Sequence, residues 1–270
     1  METWLAALDE RHLANLTPSE VTRALRALSS CYVERRGKLA SGGPLDSAGK
    51  RAAFALFYAP LHFLITQHIV QGLDATRGVE RVLDLGCGTG SAGAAFAIGA
   101  ARPEGRAYES GGRVHEGGAR EGRAHESVAR VEGVDRNAWA VAEANWTYRS
   151  LGIPGRAATG TIQKTPLRAG AGSAVLAAYA VNELPDPDRD ALLPRLLDAH
   201  GRGSRILIIE PIARRLNRWW DGWKDAFAAA GGRENEWRVR LVLPQRQRSL
   251  ARAAGLDPQE LTARSLYLQP

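Results

Sequence analysis

Residues 82–90 read VLDLGCGTG, an apolar run that ends in Asp84 and is followed by Gly86, Gly88 and Gly90 at every second position. Residues 81–85 have the continuous apolar character of a strand buried on both faces. The small-residue stretch at 91–100 predicts a helix. Glycines at a strand-to-helix turn allow positive φ and let the backbone approach a ligand closely. What the loop lacks narrows the ligand. A phosphate-cradling Walker loop needs Gly-Lys-Ser/Thr, and no Lys is present. A dinucleotide loop runs G-x-G-x-x-G, whereas this one runs G-x-G-x-G with an acid two residues before the first glycine. Such an acid suits a ligand that carries positive charge.

Outward from the loop the pattern alternates. Strands are expected at 131–135, 156–160, 174–181 and 205–210, and helices at 137–151 and 188–200. This series calls for a parallel sheet with helices on both faces. After Pro211 a helical stripe of Leu216, Trp220, Trp223 and Phe227 is followed by a strand at 237–243, a helix at 249–254 and a strand at 260–268. Before the loop, helices are expected at 3–15, 18–36 and 50–70. The second opens on Thr17-Pro18-Ser19-Glu20, a capping hydroxyl with Glu three residues on; in the third, Pro60 is a break or kink. The fold expected is α/β: a Rossmann-like, doubly wound, mostly parallel sheet over 76–270 with an N-terminal helical cap over 1–75.

One stretch breaks the rhythm. Residues 101–128 are rich in Gly, Arg and Glu and contain the imperfect repeat EGRAYES and EGRAHES. With so little apolar surface to bury, this predicts a disordered surface insertion. Its His115 and His125 read as solvated loop histidines rather than metal ligands, and no metal is expected. Asp135 ends the second strand 49 residues after Gly86; without the 28-residue insertion the spacing is 21. That is the distance at which an acid at the next strand end accepts hydrogen bonds from ribose hydroxyls in dinucleotide-binding proteins.

The loop and this second acid together resemble motif I of the class I S-adenosylmethionine-dependent methyltransferases. The resemblance implies S-adenosyl-L-methionine as cofactor and S-adenosyl-L-homocysteine as product. It assigns to the cofactor Asp84, Gly86, Cys87, Gly88, Gly90 and Asp135, with the neighbours Arg136, Ile162 and Ala180. An acid near the adenine is absent at 160–163, where Gln163 and backbone stand instead. A narrower resemblance rests on GKRAAFALFYAPLHF at 49–63, AAYAVNELPD at 177–186 and ILIIEP at 206–211. It is to the methyltransferase-like family tied to the mitochondrial small ribosomal subunit and its bacterial relatives, and it implies action on ribosomal RNA or in ribosome assembly. That family carries a C-terminal cysteine cluster; this chain has no Cys after Cys87.

Methyl transfer needs a base only where the acceptor must lose a proton. Glu183 is the first candidate, with Asn182 and Tyr58, and His62 beside them; Glu183 also fits as an acid at a helix N-terminus. Tyr58 and His62 also read as core groups. Glu210-Pro211 closes the fifth strand and is placed to shape the acceptor pocket.

Composition bounds the rest. The chain has 270 residues, 44% hydrophobic and 24% charged, so collagenous, coiled-coil and wholly disordered readings fail. Cys31 and Cys87 are far apart, which supports neither a disulfide scaffold nor a zinc or iron–sulfur site; both read as packing residues. No apolar run reaches about 18 residues, so no membrane span is expected. The start of the chain does not read as a signal peptide, and a cytoplasmic setting is expected. The net charge is +7, and residues 201–270 hold 13 basic against 7 acidic side chains. This basic end is expected to flank the acceptor side and to favour RNA or a ribosomal subunit as partner. Within 213–227, core packing is the favoured reading of the segment, and Trp219 with Arg214, Arg215 and Arg218 is what the stripe leaves for an exposed patch. The alternatives are a small-molecule or protein acceptor, and a cofactor-binding assembly factor without catalysis. Since 32 of the 36 cations are Arg, a GC-rich coding bias also accounts for the excess.

Overall fold

The computed structural model describes residues 1–34, 45–100, 128–168, 170–212, 218–240, 242–256 and 260–270, without the side chains of 31–34. The expected insertion with its two histidines (all but Val128), the Cys31 side chain, Arg214, Arg215 and Leu216 therefore lie outside the described residues.

Among the described residues, four helices precede the sheet: α1 (Glu2–His12), α2 (Pro18–Glu34), α3 (Ala48–Ala53) and α4 (Ala59–Gly72). The Thr17–Glu20 box forms: the Thr17 N–H donates to Glu20 Oε2 at 2.8 Å, and the Glu20 N–H donates to Thr17 Oγ1 at 3.3 Å. Between α3 and α4 lies a π-helical turn, Phe54–Tyr58. Pro60 does not break the chain there. The wide turn absorbs the missing N–H and the ring's steric demand, and helix continues from Ala48 to Gly72. A π turn disturbs the carbonyl ladder; the Leu56 carbonyl accepts the Gln247 Nε2–H at 2.8 Å, and Gln247 is 1% exposed. These 25 continuous residues are long and apolar enough to cross a membrane, which corrects the expectation drawn from uninterrupted apolar runs. Because 61% of their most apolar window is buried against the rest of the protein, they serve here as a core helix.

The sheet has seven strands: β1 (Arg81–Leu85), β2 (Arg130–Asp135), β3 (Gly155–Thr159), β4 (Ser173–Ala178), β5 (Arg205–Glu210), β6 (Arg233–Val239) and β7 (Leu261–Leu268). Their spatial order is β3-β2-β1-β4-β5-β7-β6. The first five pair parallel, and β7 pairs antiparallel with both β5 and β6. Helices α5 (Ser91–Ala100), α6 (Ala138–Ser150), α7 (Asp186–Gly201), α8 (Trp220–Ala229) and α9 (Gln245–Ala254) complete the layers. This is the doubly wound, mostly parallel architecture the alternating pattern predicts. Chain order reverses between β1 and β4, and ligands in such sheets bind at the carboxyl ends of strands around that point.

Two packed layers flank the sheet. The face of Val82, Val131 and Leu207 packs with the N-terminal helices, α5, α6 and α9. The opposite face, with Leu85, Val175 and Ile208, packs with α7 and α8. Trp220, Trp223 and Phe227 are 1%, 3% and 0% exposed, as the helical stripe predicts. The N-terminal helices are tied to the sheet layer through Glu143 of α6. It pairs with His12 Nε2 at 2.7 Å and accepts the Arg11 Nε–H at 3.0 Å. Burial pushes this carboxyl up, but His12 and Arg11 outweigh it and hold it below its ordinary value.

Two strand boundaries differ from expectation. The strand expected over 174–181 stops at Ala178, because Tyr179 takes φ +59° and turns the chain into a 3₁₀ turn at Val181–Glu183. The strand expected over 237–243 is β6 at 233–239. As an edge strand it is mostly polar and pairs from Arg233↔Tyr267 to Val239↔Leu261, so a search for apolar runs starts too late.

Candidate functional site

A cavity of about 450 Å³ opens where β1, β2, β4 and β5 end, within the size range of small-molecule sites. One half of it is built from backbone. β1 delivers Asp84, and the chain then reverses through Gly86 (φ +69°) and Gly88 (φ +52°). A Cβ on Gly86 would lie 2.5 Å from the Ala180 Cβ, so only glycine fits beside the β4 end. Gly90, at φ +78°, serves a different contact and is not among the lining residues. Its missing Cβ would lie 2.8 Å from Tyr148 Cε1, so it lets α6 pack against the loop.

Asp84 is 1% exposed. Its Oδ2 accepts the Gly93 N–H at 3.0 Å, while its Oδ1 is buried without a partner. Burial pushes this carboxyl up to about 7; the Gly93 N–H opposes the rise and Asp135 adds to it. Asp135 ends β2 and fixes the loop from below, accepting the Gly88 N–H at 3.0 Å and the Asn137 N–H at 2.8 Å. Asn137 in turn caps α6 through the N–H groups of Trp139 and Ala140. The Cys87 thiol also faces the cavity; burial, Asp84 and Asp135 push it well above its ordinary value, so it stays a neutral thiol.

Of the residues expected at the cofactor, Asp84, Gly86, Cys87 and Gly88 line this cavity, as do Asp135, Arg136, Ile162 and Ala180. The 3₁₀ turn Ile162–Lys164 is held by Arg195 of α7, which donates to the carbonyls of Ile162 and Thr165 at 3.2 and 2.5 Å. Gln163 donates its Nε2–H to Asp188 Oδ2 at 2.7 Å, so α7 supplies an acid beside the position where the sequence pattern lacks one.

The other half is built from side chains. Tyr58, Asn182 and Glu183 all line it, with His62, Glu210 and Pro211. Glu183 lies 3.9 Å from Arg136, across the mouth. Asn182 is held on two sides: its N–H and Nδ2–H donate to Glu210 at 3.0 and 2.5 Å, and its Oδ1 accepts the Trp219 Nε1–H at 3.1 Å. Glu210 is fully buried. Burial pushes its carboxyl up to about 8, opposed by the Asn182 N–H and reinforced by Glu183.

Three participants escape the sequence pattern. Tyr179 is a non-glycine residue at positive φ and stacks on His62 at 4.1 Å and 14°. Phe54 completes the aromatic wall. Trp219, which the helical stripe left for an exposed patch, packs instead against Trp220 and Trp223 and spends its N–H on Asn182. In the sequence, the only hint was its place in a tryptophan-rich segment after β5.

Among the described residues, the basic C-terminal end does not line the cavity: none after Pro211 does so. The reason is topological, since β7 and β6 extend the sheet beyond β5, away from the β1–β4 crevice. Several of its arginines are engaged elsewhere. Arg246 pairs with Asp9 at 2.7 Å, Arg240 with Glu260 at 3.1 Å, and Arg264 lies 3.9 Å over the Trp220 ring.

No family model matches the chain, and no curated protein matches it. Solved structures do. The methyltransferase domain of bacterial CtHen1 is 11% identical over 78% of this chain and 100% of that one, with a TM-score of 0.47. A SAM-dependent methyltransferase from Aquifex aeolicus is 15% identical over 77% and 91%, with a TM-score of 0.45. Magnesium protoporphyrin IX methyltransferase from Synechocystis PCC 6803, solved with bound SAM, is 13% identical over 94% and 97%, with a TM-score of 0.44. At these identities the likeness concerns architecture alone. The strand order and pairing are those of a Rossmann-like, doubly wound, mostly parallel sheet. The narrower ribosomal-family resemblance rests on its sequence motifs only.

Proposed function

We propose that the protein is an S-adenosylmethionine-dependent methyltransferase. The observation that carries the reading is the unpartnered, fully buried Oδ1 of Asp84, set beside the glycine turn and Asp135 in one cavity. A buried acceptor without a partner is costly, and a cationic ligand relieves that cost. A cofactor bearing an ammonium and a sulfonium but no phosphate fits a pocket whose lining, among the described residues, includes five carboxyls and one cation, Arg136. The Gly86–Gly88 turn would hold its amino-acid end, Asp135 its ribose, and Ile162 with the Gln163–Asp188 pair its adenine.

Bound there, S-adenosylmethionine supplies an electrophilic methyl group and leaves as S-adenosylhomocysteine. The chain's own part is positioning and exclusion of water. Asn182, fixed by Glu210 and Trp219, orients the acceptor, and Glu183 at the mouth is placed to receive a proton from it. The ribosomal acceptor implied by the narrower resemblance draws no support from this lining, in which carboxyls outnumber cations. Calorimetric titration with S-adenosylhomocysteine tests the cofactor; micromolar binding is expected, and no binding sinks the reading. Transfer of labelled methyl into metabolite, protein and ribosomal RNA pools then separates the acceptor classes, with the metabolite pool expected to be labelled. Cofactor binding with no transfer to any pool would favour the assembly factor.

A further inference from the structure

The π-helical turn and the start of α4 form an otherwise buried segment. Ala55, Leu56, Phe57, Ala59 and Pro60 are all buried. Phe54, Tyr58 and His62, spaced four apart, are the half-exposed exceptions, and all three face the cavity. Tyr58 lies 5.8 Å from Phe54 and 6.2 Å from His62, ring centre to ring centre. Across from them Tyr179, also half-buried, stacks on His62. Both backbone irregularities of the region, the π turn and the positive φ of Tyr179, thus serve to present aromatic faces to the same space. Such irregularities persist where function holds them.

The polar complement is equally specific. Glu183, Glu210 and the Asn182 amide stand beside the aromatic wall, and among the described residues Arg136 is the only cation in the lining. Glu210, raised to about 8, adds little charge, but acceptors still outnumber cations here, so a ligand that donates is matched better than an anionic one.

We propose that this half of the cavity binds a planar aromatic small molecule, free of phosphate and carboxylate, whose N–H or O–H group is the methyl acceptor. Phe54, Tyr58, His62 and Tyr179 provide the stacking surfaces, and Asn182 aligns the donating group. The proposal rests on the methyltransferase reading, and binding measurements separate the two. The full-length protein is first saturated with S-adenosylhomocysteine, then titrated with 6-aminoquinoline, with quinoline-6-carboxylate of similar shape, and with a short single-stranded RNA.

The amine is expected to bind in the submillimolar range and the carboxylate about tenfold more weakly or not at all, as a like-charge penalty requires. Phe54→Ala is expected to weaken the amine about tenfold through lost stacking and to leave S-adenosylhomocysteine affinity within about twofold. Tyr179→Phe, which keeps the ring, is expected to retain most of the amine affinity. No amine binding at millimolar concentration, tighter binding of the carboxylate or the RNA, or a Phe54→Ala protein that binds the amine as tightly as the parent would each overturn the aromatic site. Failure of the parent protein to bind S-adenosylhomocysteine would instead overturn the methyltransferase reading.

Discussion

The two halves of the cavity are built on different principles. The glycine half is main chain: consecutive residues at the ends of β1 and β2, held by N–H groups that Asp84 and Asp135 accept. The aromatic half is side chain. It gathers Phe54, Tyr58 and His62 from before the sheet, Tyr179 and Asn182 from the end of β4, Glu210 from β5 and Trp219 from beyond it. A backbone cradle suits a ligand that every member of a fold class shares. A side-chain wall can be rewritten residue by residue, which is how one fold serves many acceptors.

If the halves are separable in this way, Gly86→Val gives the largest effect. The new Cβ meets Ala180 at 2.5 Å in a conformation that disfavours side chains. Loss of S-adenosylhomocysteine affinity by about a hundredfold or more is expected in calorimetry, with a cooperative thermal transition retained. Unchanged affinity would mean that the loop is not the cofactor cradle.

Asp84→Asn comes next. With the parent carboxyl raised to about 7, a cationic ligand must bind its ionised form. Affinity for S-adenosylmethionine should therefore fall as pH drops below about 7, approaching tenfold per pH unit. The variant should bind more weakly and show no such slope. A parallel slope in both proteins would remove Asp84 from the ammonium end.

Trp219→Phe sharpens the comparison from the other side, because it removes the N–H that holds Asn182 while keeping an aromatic ring, though a smaller one, against Trp220 and Trp223. A loss of 6-aminoquinoline affinity of about fivefold is expected, with S-adenosylhomocysteine binding nearly unchanged. Equal losses of both ligands would show the halves to be coupled.

The smallest effect is thermodynamic. Glu210 has its carboxyl raised from 4.5 to about 8 in the folded protein. The folded state thus binds the proton more tightly than the unfolded one. The resulting stability is fully present below about pH 4.5 and is lost as pH rises through about 8. Glu210→Gln should flatten the fall in Tm across that window, read by differential scanning calorimetry. Asp84 contributes with the same sign up to about 7, so a residual slope belongs to it. An undiminished slope in the Glu210 variant would mean that its carboxyl does not carry the raised pKa.

Much of this molecule is written locally. Residues 82–90, the spacing to Asp135 and the β-α alternation are short-range patterns, and they determine the sheet, the crevice and the cationic ligand it suits. They do so because strand burial, glycine conformation and helix capping each depend on a few neighbouring residues. The capping box at Thr17 and the stripe of Trp220, Trp223 and Phe227 were legible for the same reason. Tertiary structure alone decided the aromatic half. Tyr58 and His62 read equally well as core groups until the π turn set their face toward the cavity, and nothing near Tyr179 announces a positive φ. Trp219 and the basic C-terminal end show the same limit in reverse. Whether an aromatic or a charge lies at a site, in a core or at a distant edge depends on which strand pairs beside β5, a choice made by contacts between residues far apart in the chain.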